Sequence, residues 1–340
     1  MTTTLTINDR DPQSILRLGT AFCEAKALLT GLEVRLFDHL HEAGPLAAAA
    51  IAERLSLHLR GVPHFLDLLV TMNVLTRSED GYANSPATDR YLVRSEPSYL
   101  GGFLERANHN LYPAWGRLGE ALRTGRQQSA ADYREMIKNP RALRRFLDMM
   151  DALTNRIGPE LADAVDWSEV RTVVDVGGAR GNLLSHVVKA NPHLSGIVFD
   201  LPEDAEPFAE HVAALGLTER MRFEPGSFFT DPLPAADAVV IGHVLHDWSP
   251  QERAMLVGKA FEALTPGGFL VIYDPMVDHE LSHPENLVVS LDMLLTTDGG
   301  SEYSPEEARG WLRDAGFVSV TERPLADSDT LLVARKPAAA

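Results

Sequence analysis

The stretch Val173-Val-Asp-Val-Gly-Gly-Ala-Arg-Gly-Asn-Leu-Leu184 carries a short apolar run into a cluster of glycines and out again into an apolar segment. Strand, tight loop and helix in that order bring backbone amides close to a ligand at the C-terminal edge of a sheet. The dinucleotide fingerprint needs Gly-x-Gly-x-x-Gly, and glycines at 177, 178 and 181 do not supply it. Asp175, ahead of the loop, favours a cation over a pyrophosphate. Asp200 closes the next apolar run, Ile197-Val-Phe-Asp-Leu-Pro202, where a carboxylate can accept both hydroxyls of a ribose. A glycine pair alone is often only a tight turn. Joined to Asp175 and Asp200, it suits S-adenosylmethionine, an adenosine nucleoside with a sulfonium, an amino-acid tail and no phosphate.

Further runs rich in Val, Ile and Phe follow the same rhythm: Thr172–Val176, Ile197–Leu201, Met221–Glu224, Ala238–Ile241, Phe269–Tyr273, Phe317–Thr321 and Leu331–Ala334. Helix-length segments separate them, so residues 166–340 read as an α/β, doubly wound Rossmann-like domain with a parallel sheet. Ser249-Pro-Gln-Glu and Ser304-Pro-Glu-Glu each offer a capping serine, a first-turn proline and a glutamate three residues on. Residues 101–165 read as linking helices rich in large side chains. Residues 1–100 read as a helical domain, with an apolar stripe at Ile15, Leu18, Phe22, Ala25, Leu29, Leu32 and Leu36. Helices at Ile51–Leu55 and Val62–Val74, then a hairpin turning at Asp80-Gly81, have the pattern of a winged helix.

Lys+Arg 31 against Asp+Glu 48 gives a net charge of −17. So acidic a surface repels phosphate backbones and anionic lipid. The second helix of the winged pattern has no basic side chain after Arg60, which disfavours nucleic-acid binding and favours a packing or dimerisation module. Cys23 is the single cysteine and excludes a disulfide framework or a Cys-rich metal site. A polar N-terminus and no apolar run of membrane-spanning length lead us to expect a cytoplasmic protein.

Ile241-Gly-His-Val-Leu-His-Asp-Trp248 follows the fourth strand and ends at the Ser249 cap, so His246 falls in a turn at the ligand-binding edge. A histidine there serves as general base or merely satisfies a backbone group, as could His243. His279-Glu-Leu-Ser-His283 formally fits a zinc motif, but Pro275 and Pro284 break the continuous helix that the motif requires. We expect no metal.

Together these residues resemble the small-molecule, S-adenosylmethionine-dependent O-methyltransferases, which comprise plant phenolic and acetylserotonin enzymes and bacterial natural-product relatives. Val174-Asp-Val-Gly-Gly, Phe199-Asp-Leu-Pro, Gly226-Ser-Phe-Phe, Val244-Leu-His-Asp-Trp, Pro266-Gly-Gly, Leu291-Asp-Met-Leu, Gly299-Gly-Ser-Glu and Ala315-Gly-Phe carry the resemblance over nearly the whole chain. It implies an N-terminal dimerisation domain, a homodimer and a small aromatic acceptor. It implies that His246 is the base, with Glu302 and Asp274 beside it. Asp175, Gly177, Gly178, Asp200, Leu201, Ser227, Phe228 and Gly242 would face the cofactor. Phe146, Met150 and Met293 would line the acceptor pocket, with Tyr112 and Trp115 as further wall residues.

Four positions depart from the family pattern. Ala179 replaces a glycine, Ser227 stands where many members have an acid, Gly242 where plant members have lysine, and Asp274 where plant members have glutamate. C- or N-methylation, a cofactor-assisted reaction without methyl transfer, and a winged-helix sensor remain alternative readings.

Overall fold

The computed structural model describes residues 11–96, 98–129, 136–326 and 328–339. The chain divides into two units between Pro113 and Ala114, inside the short helix Tyr112–Trp115.

In the N-terminal unit the apolar stripe becomes three helices, Pro12–Thr20, Phe22–Glu33 and Leu36–Ala43. Asp11 caps the first by accepting from the Gln13 amide, and Arg35, in a left-handed conformation, separates the second from the third. Leu32 and Leu36 enter a core with Phe37, Ile51, Leu66 and Leu69. Ile15 and Phe22 stay more than half exposed, at 56% and 57%. Helices Ala48–Arg54 and Val62–Thr71 precede the antiparallel strands β1 (Leu75–Ser78) and β2 (Gly81–Asn84). The helix–helix–hairpin order matches the winged pattern. The second helix stops three residues earlier than its apolar spacing suggested, because Asn73 turns left-handed.

The second unit holds strands β3 (Thr172–Val176), β4 (Ser195–Asp200), β5 (Met221–Pro225), β6 (Ala236–Gly242), β7 (Leu264–Asp274), β8 (Ser319–Leu325) and β9 (Asp329–Arg335). They form one sheet in the order β5-β4-β3-β6-β7-β9-β8. Alternate residues feed opposite cores: Val173, Val198 and Val240 pack on one face, Val174, Ile197 and Ile241 on the other. Burial on both faces explains why the strands read as continuous apolar runs. The parallel expectation holds for β3 to β7 but not for β9, which runs antiparallel to both β7 and β8. The connection from β8 to β9 spans only residues 326–328, too short for the crossover that a parallel pair needs.

Strand β3 has β4 on one side and β6 on the other, so the sheet's topological switch lies between β3 and β6. Open α/β sheets bind ligands in the crevice beyond such a switch. The glycine loop leaves β3 there and the His246 turn leaves β6. Both Ser-Pro-x-Glu starts form complete capping boxes, at Ser249/Glu252 and Ser304/Glu307. Among the described residues, no helix is long and apolar enough to cross a membrane.

Candidate active site

At the end of β3, Gly177 adopts φ +74°, and a side chain there would also run into Val244. A Cβ on Gly178 would meet the Asp175 carboxylate at 2.6 Å. The loop is therefore open because these two positions carry no side chain. Ala179 also sits left-handed, at φ +51°, which costs a non-glycine residue about 1–2 kcal/mol. Its amide donates to Asp200 Oδ2 at 2.8 Å, and the Leu201 amide donates to Asp200 Oδ1 at 2.7 Å. Asp175 is buried with Oδ2 unpartnered. Burial, reinforced by the nearby charge of Asp200, pushes its pKa up to about 7.

A cavity opens over this loop. Asp175, Gly177, Gly178, Gly242, His243 and Met150 are among its lining residues. Gly242 has no room for a longer residue, since a Cβ would fall 2.0 Å from the Tyr273 ring. Tyr273 thus accounts for the departure at that position. Ser227 donates its amide to Asp231 Oδ2 and receives the Phe229 amide on Oγ, so it shapes a turn. The Phe228 ring packs edge-on to Phe229 and Trp248, and Lys259 holds its carbonyl at 2.7 Å.

The β6 turn brings the predicted acids to His246. Its ring is buried, and Nδ1 lies 2.7 Å from Glu302 Oε1 and 3.8 Å from Asp274 Oδ1. Asp274 is therefore a charge neighbour of the ring rather than a hydrogen-bond partner. Its Oδ2 accepts from the Tyr303 hydroxyl, while Oδ1 and Glu302 Oε2 have no partner. In the neutral ring, Nδ1–H donates to Glu302 and Nε2 is the nitrogen left to accept, 3.9 Å from Asp247 Oδ1. Burial disfavours a charged ring here, but Asp274, the Glu302 hydrogen bond and Asp247 outweigh it and push the pKa up to about 10.

Met150 lines the cavity with the glycine loop, and Phe146, like Ala179 and Leu201, packs against the cluster of Ile137, Leu143 and Leu147, so both lie on the glycine-loop side of the long helix Pro140–Ala164. Met293 is half-buried on helix Pro284–Thr296, to which Trp115 is tied through Nε1 and Asp292 Oδ1 at 2.6 Å. Tyr112 belongs to the other unit, where Lys26 lies over its ring. Residues 279 to 283 form an exposed turn and loop before that helix, so His279 and His283 share no helical face.

Sequence reasoning left His243 without a function. His243 Nε2 pairs with Asp329 Oδ2 at 2.9 Å, and its ring stands 5.4 Å from that of His246. Asp329, at the start of β9, carried no local signal. Among the described residues, His243, His246 and Asp274 bring ligand-type atoms within 4.8 Å of one another, although each ring already commits one nitrogen to a carboxylate.

Comparison with known proteins identifies the family. A sequence model of the O-methyltransferase domain matches residues 115–318, and one of the O-methyltransferase dimerisation domain matches residues 16–94. The chain is 46% identical to the tetracenomycin polyketide synthesis 8-O-methyl transferase TcmO of Streptomyces glaucescens, over 96% of this chain and 98% of that one. It is 39% identical to the N,N-dimethyltransferase OxyT of Streptomyces rimosus, over 99% and 100%. Human N-acetylserotonin methyltransferase, solved with S-adenosylmethionine, superposes with a TM-score of 0.85 at 26% identity, covering 97% of this chain and 100% of that one.

Proposed function

Because the chain belongs to the S-adenosylmethionine-dependent O-methyltransferases, we propose that it methylates a hydroxyl of a small aromatic, polyketide-type acceptor, with His246 as general base. The observation that carries this reading is the buried His246–Glu302 pair at 2.7 Å, one turn beyond a strand whose neighbour ends in the acid-and-glycine loop. The cofactor fits the residues present. A buried carboxylate with one unpartnered oxygen at Asp175, and a second buried carboxylate at Asp200 that accepts two backbone amides, suit a cationic nucleoside and oppose a phosphate. Asp200 and Leu201 would hold the ribose end, Phe228 the adenine, and Gly177 and Gly178 the amino-acid tail, with Ser227 and Gly242 bordering the pocket.

When bound, S-adenosylmethionine supplies an electrophilic methyl on a positively charged sulfur. The protein's own task is to align the acceptor oxygen and to take its proton. Orientation contributes roughly 7–11 kcal/mol in favourable intramolecular cases, and a positioned base typically adds about 10²–10⁴-fold. Glu302 holds Nδ1–H so that Nε2 faces the acceptor, and Asp274 and Glu302 stabilise the imidazolium that forms. The same acids favour a protonated ring in the ligand-free site. Any cation brought into the pocket pushes the ring back toward neutrality.

OxyT, at 39% identity, gives a specific reason to keep N-methylation as the second reading. An amine acceptor would use the same base and pocket. For Met293 and Trp115 we propose the acceptor wall. We place Phe146 and Met150 at the boundary with the cofactor, and the structure gives Tyr112 no place relative to either. The exposed apolar side chains Ile15, Leu16, Leu18 and Phe22 and the dimerisation-domain match support a homodimer. The winged pattern then serves packing, with no nucleic-acid role.

The test is a screen of hydroxylated and amino aromatics with methyl-labelled S-adenosylmethionine, read by mass spectrometry. We expect label on an acceptor oxygen, and label on nitrogen would select the second reading. His246→Ala should retain S-adenosylhomocysteine affinity within about twofold while losing roughly 10²–10⁴ in turnover. Wild-type turnover by that variant would exclude His246 as base.

A further inference from the structure

Arg253 is 1% exposed, on the first turns of helix Pro250–Ala263. Its Nε donates to the Leu245 carbonyl at 2.9 Å, one residue before His246. One terminal nitrogen donates to the Ser301 carbonyl at 2.6 Å and to Ser301 Oγ at 3.1 Å, one residue before Glu302. The guanidinium also lies against the rings of Tyr303 and Trp311, 4.9 and 5.7 Å from their centroids. No carboxylate pairs with it within 4.0 Å among the described residues.

A buried cation without a directly paired acid is costly, and an apolar side chain of the same length would fill this space more cheaply. The contacts that Arg253 makes explain its presence. They join two segments distant in sequence, and those segments carry the base and the carboxylate that orients it. A second strut runs beside it, since the Ser301 amide donates to the His246 carbonyl at 2.9 Å.

We infer that Arg253 is a positioning residue for methyl transfer: its fork clamps the Leu245–His246 turn to the Ser301–Glu302 loop, and its buried charge offsets the acids around His246. This rests on the reading of His246 as base. The groups facing that ring are Asp247 on its own turn, Asp274 at the end of β7, Glu302 on the loop and His243 with its partner Asp329. Against these acids Arg253 is the fixed cation on the helix that follows. Burial lowers the pKa of the guanidinium, and the neighbouring Tyr303, Asp274 and Glu302 act in the opposite sense without outweighing it.

The test uses Arg253→Met, which keeps the stem and removes both fork and charge, and Arg253→Lys, which keeps the charge and loses the fork. The first readout is the NMR titration of His246 in full-length protein saturated with S-adenosylhomocysteine, which needs no acceptor. We expect Arg253→Met to raise the titration midpoint by about one unit or more, the effect of one charge within roughly 12 Å acting through an effective dielectric near 20. Arg253→Lys should hold it near wild type. The second readout is turnover on any hydroxylated aromatic that the wild type methylates. Both variants should lose roughly tenfold or more in kcat, while the KM for S-adenosylmethionine stays within about twofold. An unchanged His246 midpoint in Arg253→Met, or wild-type kcat in Arg253→Lys, would overturn the inference. If Arg253→Met does not fold, the lysine variant decides by its kcat. His246→Ala at wild-type rate would remove the base itself, a result separate from the NMR titration.

Discussion

Replacing Glu302 by glutamine removes one charge and preserves shape. The Glu302 carboxylate accepts the His246 Nδ1 proton at 2.7 Å in a buried site, and its other oxygen has no partner. Glutamine still offers one carbonyl oxygen to Nδ1, and its amide takes the place of the unpartnered oxygen. A hydrogen bond to a charged group contributes roughly 1.5–3 kcal/mol, against about 0.5–1.5 kcal/mol for a neutral one. The loss of imidazolium stabilisation is therefore about 1–1.5 kcal/mol, or roughly five- to twelvefold in kcat. The pH dependence moves as well. The proposed base works in its neutral form, so activity should rise as pH passes upward through the ring's pKa. Glu302 is one of the groups that raise that pKa, so its removal shifts the acid limb to lower pH. The folding contribution of the raised pKa is present below the ring's unfolded value and is lost as pH rises through the folded one, near 10. The variant should forfeit part of that contribution near neutrality. Initial rates across the pH range, with urea unfolding at two pH values, test all three effects. An unchanged plateau with an unchanged acid limb would refute the role given to Glu302.

Asp200→Asn leaves one backbone amide, of Ala179 or Leu201, facing a donor instead of an acceptor. Calorimetry with S-adenosylhomocysteine should show roughly fivefold or greater weakening of binding, since such a mismatch costs about 1–3 kcal/mol. Ser249→Ala removes the capping box that starts helix Pro250–Ala263, and urea unfolding should show a loss of about 0.5–2 kcal/mol with an unchanged slope.

The sheet was legible because both of its faces are buried, which turns each central strand into an apolar run that needs no partner to be recognised. Strand β9 was recognisable as a strand but not in direction, since direction depends on the short link at 326–328 and not on the strand's own residues. The site divided in the same way. Asp175, the glycines and His246 announce themselves by spacing, and Glu302 and Asp274 came only from family resemblance. Asp329 and Arg253 reach the site across 86 and 48 residues to their partners His243 and Ser301. No window of sequence contains such pairs. Ala179 illustrates a subtler gap: its small size is visible in the sequence, while its left-handed backbone is not.

The distribution of buried charge explains why the pocket suits a cation. Asp175, Asp200 and Asp204 are buried toward the β3–β4 side, and Asp274, Glu302 and Asp329 toward the β6–β7 side. Burial raises the pKa of Asp175, Asp200, Asp204 and Asp274, which means that each ionised form is held against a desolvation cost. Arg253 and the two histidines are the positive groups that face the second set. Asp175 and Asp204 have unpartnered oxygens, and among the described residues neither has an ion-pair partner. A phosphate would add to that imbalance, whereas a sulfonium nucleoside would relieve it. The acidity of the site thus selects the charge type of the donor before any shape is considered, and the remaining selectivity falls to the proposed acceptor wall.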